Sequence, residues 1–230
     1  YSLSKYKRKQ LYCDCYLVGK KQKETWFSSA SMGNFDYKEL GRVKEIGIPR
    51  YTREWVKIYR EKILYNDKFV YGNKENINIV LYMVHPKYNI DVESLMNMVG
   101  AISNINNVNF VYKPHTRNGL NGIDVTRMKG FDGSNVSSVL LSEWADIGID
   151  IGSSITIQLL VDKVPVIVPT FICNNSTIFQ ENGVCTEVSN TEELVHIIQN
   201  INNIKEDKGK NERIEKFISE IVYGDSNYNG

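Results

Sequence analysis

One segment constrains the fold of this chain more than any other: residues 145–170, ADIGIDIGSSITIQLLVDKVPVIVPT. A short apolar run, Ala145–Ile151, leads into a Gly-Ser-Ser turn. Ser154–Asp162 then carries apolar residues at helical spacing, and Val164–Val168 is a second apolar run ending near Pro169. A strand, a helix and a strand in succession predict a βαβ unit with parallel strands. The turn stands at the carboxyl end of a strand and opens a helix. Free N–H groups and the positive end of the helix dipole favour an anion there. Ligands of open α/β sheets bind outside the carboxyl ends of the strands.

The alternation extends in both directions. INIVLYMV at 77–84 and VNFVYKP at 108–114 read as buried strands, with helical spacing at Val92–Ile105 between them. Helices are expected at Ser137–Trp144, Thr191–Ile201 and Glu212–Val222, and a last short strand at Gly183–Val188. Residues 116–133 are polar and Gly-rich, a loop with a short strand at Ile123–Arg127. The expected class is α/β: a Rossmann-like parallel sheet with flanking helices and right-handed crossovers. Upstream, Leu11–Val18 reads as a strand, and Leu40, Val43 and Ile46 as a short helix or turn. Gly47 and Pro49 break the pattern, and Thr52 caps a helix whose apolar stripe is Trp55, Ile58, Tyr59 and Ile63. Polar residues from Asp67 to Asn76 mark a linker. The expected division is therefore 1–72, a remnant of an N-terminal domain, and 73–230, the α/β domain. The chain opens on Tyr1 amid Lys5, Lys7, Arg8 and Lys9, which is expected of a fragment beginning inside an upstream domain.

Composition narrows the function classes. The formal net charge is +1, so the broad basic field of a nucleic-acid binder is absent. No apolar run reaches the length of a membrane span, and no secretory pattern is present. Cys13, Cys15, Cys173 and Cys185 lack metal-knuckle spacing, and the chain has only three His, so thiols in a reducing cytoplasm are expected. The basic residues near the start read as a solvated face, with peripheral contact to anionic lipid as the alternative. There is no P-loop, no G-x-G-x-x-G fingerprint, no G-x-S-x-G elbow and no D-x-D pair. No cofactor and no metal site are expected.

The residues that suit chemistry gather at two places. Lys113-Pro114-His115-Thr116-Arg117 ends the 108–114 strand. Arg offers a planar fork to phosphate oxygens, and His donates to a bridging or leaving oxygen, so the cluster suits a diphosphate. Gly152, Ser153 and Ser154 supply the anion-seeking turn, and Gln158 lies one turn along the expected helix, within reach of a sugar hydroxyl. Ser142, Glu143 and Asp150 flank the 145–151 strand, and His85 ends the 77–84 strand; these are further candidates for donor-side contacts.

The segments KPHTR, ADIGIDIGSSITIQLLVDKVPVIVPTF and FQENG, with the helix after Asn190, resemble the C-terminal half of a GT-B glycosyltransferase. The likeness, over residues 40–224, is to the bacterial surface-polysaccharide group, with its CDP-glycerol glycerophosphotransferases and its capsule transferases. It implies that residues 73–230 bind a nucleotide-activated sugar or polyol donor of the CMP, CDP or UDP type. It also implies that His115 and the Ser153-Ser154 pair contact the diphosphate, and that the acceptor is a glycan or a lipid-linked glycan. Location would be cytoplasmic, including the inner face of the membrane. Thr116 stands where the group has Pro, and Gln158 where the glycerophosphotransferases have Asp. Two rival readings use the same fold: a nucleotide-sugar 2-epimerase, and a non-catalytic nucleotide-binding or scaffold module.

Overall fold

In the computed structural model, which describes residues 15–19, 41–84, 89–115, 128–201 and 207–224, two units are distinguished. One gathers residues 1–55 and 215–230, the other residues 56–214. In the first unit Tyr16–Gly19 (β1) pairs in parallel with Val43–Ile46 (β2). The expected helix or turn at Val43–Ile46 is thus a strand; three apolar residues at spacing three were too short a sample to fix the period. Residues 11–14 of the expected first strand lie outside the described residues. Gly47 follows β2 because nothing larger fits. The Ile48 N–H donates to the Val222 carbonyl at 2.7 Å, and a Cβ on Gly47 would stand 1.8 Å from that oxygen. Arg53 meets the Glu215 carboxylate at 2.8 and 3.0 Å.

Arg53–Ile58 (α1) runs on into a π-helical turn, Tyr59–Ile63. Its expected stripe faces the other way: Val56 and Leu64 are buried, whereas Trp55, Ile58 and Ile63 are exposed.

The unit of residues 56–214 is built on a six-stranded sheet. Its strands are Ile77–Tyr82 (β3), Val108–Lys113 (β4), Phe131–Asp132 (β5), Ile147–Asp150 (β6), Val166–Pro169 (β7) and Thr186–Val188 (β8). All neighbours are parallel, in the order β5-β4-β3-β6-β7-β8. The chain builds outward from β3 to β5, then returns to the other side of β3 and builds outward to β8. The reversal between β3 and β6 is the topological switch point, where doubly wound sheets open a crevice.

The helices are Val92–Ser103 (α2), Ser138–Trp144 (α3), Thr156–Val161 (α4), Ile178–Glu181 (α5), Thr191–Gln199 (α6) and Lys208–Phe217 (α7). Asp91 caps α2 by accepting the Ser94 N–H at 3.1 Å. Asn190 caps α6 by accepting the Glu193 N–H at 2.8 Å. One sheet face, with Ile79, Leu81, Phe110, Ile147 and Ile149, packs on Leu95, Met98 and Ile102 of α2 and Leu194 and Ile198 of α6. On the other face α4 lies so close to β6 that a Cβ on Gly148 would stand 2.2 Å from a Leu159 methyl. Fully burying one such Leu contributes about 1.5–3 kcal/mol. Phe131–Asp132 was expected as loop; it is two residues long and Ile178–Glu181 four, below what periodicity detects. Residues 123–127 lie outside the described residues.

Candidate functional site

Register aligns the groups at the carboxyl edge of the sheet. Lys113 of β4 stands level with Tyr82 of β3, and Tyr82 with Asp150 of β6. Partners in parallel strands share a face, so the three side chains form a row across the sheet. His115 follows two residues beyond β4 and is half-buried. Gly152, Ser153 and Ser154 follow β6; Gly152 adopts φ +111°, a conformation that favours glycine. His115 and the Ser-Ser turn therefore stand on either side of β3, at the switch point.

The turn is shaped from below by Asp150. This carboxylate is 0% exposed, and its Oδ1 accepts the Ser153 N–H at 2.7 Å. Its Oδ2 and the buried Thr156 hydroxyl have no hydrogen-bond partner among the described residues. Burial pushes the Asp150 carboxyl up to about 6, against the lowering effects of the Ser153 N–H, the Thr156 hydroxyl and the Gly152 N–H. The helix expected from Ser154 begins at Thr156 instead. The lead-in is tighter than α-helical, with Thr156 N–H to Ser153 carbonyl at 3.2 Å and Ile157 N–H to Ser154 carbonyl at 3.4 Å. Ser154 is exposed and Ser153 half-buried. The Ser153 N–H, expected to face a ligand, is occupied by Asp150.

Several expected contacts take other roles. Lys113 is buried, and its ammonium donates to the carbonyls of Gly133, Ser134 and Val136 at 2.9, 2.7 and 2.7 Å. All three ammonium donors hold the segment after β5, and none remains for a phosphate. Burial lowers the Lys113 pKa, with the Asp132 carboxylate opposing. Gln158 is 0% exposed and donates to Asp162 at 3.0 Å; it faces inward, not toward a sugar. Ser142 and Glu143 end α3, which runs against the strands and so finishes at their amino edge. Ser142 bonds Asp162 at 2.8 Å, and Glu143 lies 3.3 Å from Arg60. Arg60 also forks onto Asp162 at 2.7 and 3.1 Å. A cavity of about 280 Å³ lies beside this cluster, and a groove of about 590 Å³ adjoins it along Leu64, Phe69, Leu140 and Trp144. Neither is lined by His115 or by residues 152–154. His85 and Arg117 lie outside the described residues. Thr156 went unnoticed in the sequence. Asp150 followed three residues later by Ser153 is a spacing at which a carboxylate takes a backbone N–H, and that signal was present.

No protein family and no curated protein matches the sequence. Solved structures do match. One is the wall teichoic acid polymerase TagF, with TM-score 0.56 at 15% identity over 91% of this chain and 54% of that one. Another is a histidine variant of TagF soaked with CDPG, with TM-score 0.55 at 17% identity over 90% of this chain and 51% of that one. The chain thus spans about half the length of these polymerases. At this level of identity the likeness concerns the fold: the chain has the Rossmann-like α/β fold of GT-B glycosyltransferase structures, TagF among them.

Proposed function

We propose that this chain carries the donor-binding half of a GT-B transferase. It would move a sugar or polyol phosphate from a nucleotide-activated donor to a glycan or lipid-linked acceptor of the cell surface. One observation carries the reading: His115 and the Gly152–Ser154 turn flank β3 at the switch point of a sheet in the doubly wound order. In this reading the donor diphosphate rests between them at the carboxyl edge of the sheet. The bond from the transferred group to the diphosphate oxygen breaks as the bond to the acceptor oxygen forms. The His115 imidazole and the hydroxyl of Ser154 answer the negative charge growing on the departing nucleotide. Arg117 belongs to the same proposal through its place in the KPHTR segment. The acceptor proton leaves to a base on the other half of the transferase. The work would be done in the cytoplasm, at the inner face of the membrane.

A thermal-shift screen with CMP, CDP, UDP, GDP and ADP, with and without magnesium, tests this. A ligand that binds the folded state raises Tm. A cytidine or uridine diphosphate should raise Tm in the wild-type chain and fail to do so in H115A. An equal rise in H115A, or no rise with any nucleotide, refutes the assignment.

A further inference from the structure

We propose that Asp150 is the positioning residue of the Gly152–Ser154 turn, and that it takes up a proton from solvent as a phosphate anion settles there. The inference rests on the donor reading above and adds to it a proton-linked mode of binding. Its first part is geometric. The carboxylate lies wholly beneath the turn, and its Oδ1 holds the Ser153 N–H at 2.7 Å while Gly152 turns at φ +111°. With that N–H drawn inward, the turn is fixed before any ligand arrives, and Ser154 is left at the surface.

The second part follows from charge. Oδ2 is buried without a hydrogen bond of good geometry among the described residues, and the nearby Ser153 N–H, Thr156 hydroxyl and Gly152 N–H offset the cost of burying the charge only in part. A phosphate on the outer side of the same turn places a second negative charge close by, across a medium that screens poorly. Two anions so placed disfavour one another, and the buried one is relieved by taking a proton. Burial already raises the Asp150 pKa to about 6, so little further persuasion is needed near neutral pH.

Other groups around Asp150 do not compete for this role. α4 and β7 carry no titratable side chain. Cys185, before β8, is kept as a neutral thiol by burial, which pushes it up to about 12. Tyr82 on β3 donates its hydroxyl to the Ser138 carbonyl at 2.9 Å. Lys113 on β4 is tied to its three carbonyls.

An NMR pH titration of the full chain from pH 5 to 8, with and without saturating CDP, tests both parts. The Ser153 amide resonance should titrate with a midpoint near 6. CDP should raise that midpoint by about one pH unit. By reciprocity, CDP affinity should then fall about tenfold more between pH 5 and 8 in wild type than in D150N. The titration should vanish in D150N. Imidazoles also change charge in this range, so it should persist in H115N. A Ser153 amide that stays flat in wild type overturns the positioning role. A midpoint that CDP leaves in place, while other amides report binding, overturns the proton linkage alone. CDP that moves no amide at all overturns the donor reading and the linkage together.

Discussion

Asp150→Asn should make the protein more stable at neutral pH, although it alters a residue at the centre of the proposed site. Asn is isosteric and keeps an oxygen to accept the Ser153 N–H, and it removes the buried charge. The magnitude follows from linkage. The carboxyl titrates at about 6 in the folded chain against 3.8 ordinarily. Between those values the folded state holds a proton that the unfolded state has lost, so stability falls as pH rises through this window. Above it the loss is complete. At about 1.4 kcal/mol per pH unit, the span amounts to about 3 kcal/mol. D150N escapes that loss, so its advantage should be near zero at pH 4 and reach about 3 kcal/mol by pH 7.5. For a chain of this size that corresponds to a Tm rise of about 6–12 °C. Urea unfolding followed by circular dichroism at half-unit steps of pH measures the difference directly, since all other carboxyls titrate alike in both proteins. A D150N variant that is less stable than wild type at pH 7.5, or a difference that does not vary with pH, refutes the account of a strained buried charge. Stability gained at the expense of a ligand site is a recurrent trade.

Two further substitutions probe the neighbouring packing. Lys113→Met leaves the carbonyls of Gly133, Ser134 and Val136 without their donor and should cost about 2–3 kcal/mol in urea unfolding. Any nucleotide-induced rise in Tm should survive that change, and its loss would return Lys113 to the ligand. Gly148→Ala drives a methyl to within 2.2 Å of a Leu159 methyl in a fully buried contact and should cost about 1–3 kcal/mol. In a double-mutant cycle with Leu159→Ala the two costs should be far from additive, and additive costs would show that β6 and α4 move apart freely.

The parts of this protein that could be read in the sequence are those with a long, strong period. INIVLYMV and VNFVYK are apolar enough to announce buried parallel strands, and both stand where expected. Val92–Ile105 shows its helical spacing over three turns, and it is a helix. Gly152-Ser153-Ser154 could be placed at a strand's end from neighbouring residues alone. Illegible features depend on where distant segments meet. Nothing near Lys113 says that three carbonyls from residues 133–136 will claim its ammonium. Gln158 looked like a ligand residue because helical spacing put it one turn from Ser154. Its direction was decided by Asp162, which gathers Gln158, Ser142 and Arg60 around one carboxylate. Ser142 and Glu143 were near the right strand in sequence but at its wrong end, since the helix carrying them runs against the sheet. Val43–Ile46 became a strand only because Tyr16–Gly19 lies beside it.

These outcomes share a physical logic. A formal charge at the edge of a buried sheet is costly unless it is paired or hydrogen-bonded, so charges read there from sequence tend to be claimed by the protein itself. Lys113 is satisfied by carbonyls, and half of the Asp150 carboxylate by a backbone amide. The groups of the proposed donor site are dipolar: the Ser154 hydroxyl, a turn of backbone and the His115 side chain. Such groups suit a leaving group on which negative charge grows, because preorganised dipoles need no reorganisation when charge develops. They bind a resting anion only modestly, the more so with Asp150 ionised beneath them. Donor binding and the protonation of Asp150 therefore belong to one equilibrium, and the same buried carboxylate that weakens the fold at neutral pH sets how readily the turn accepts a phosphate.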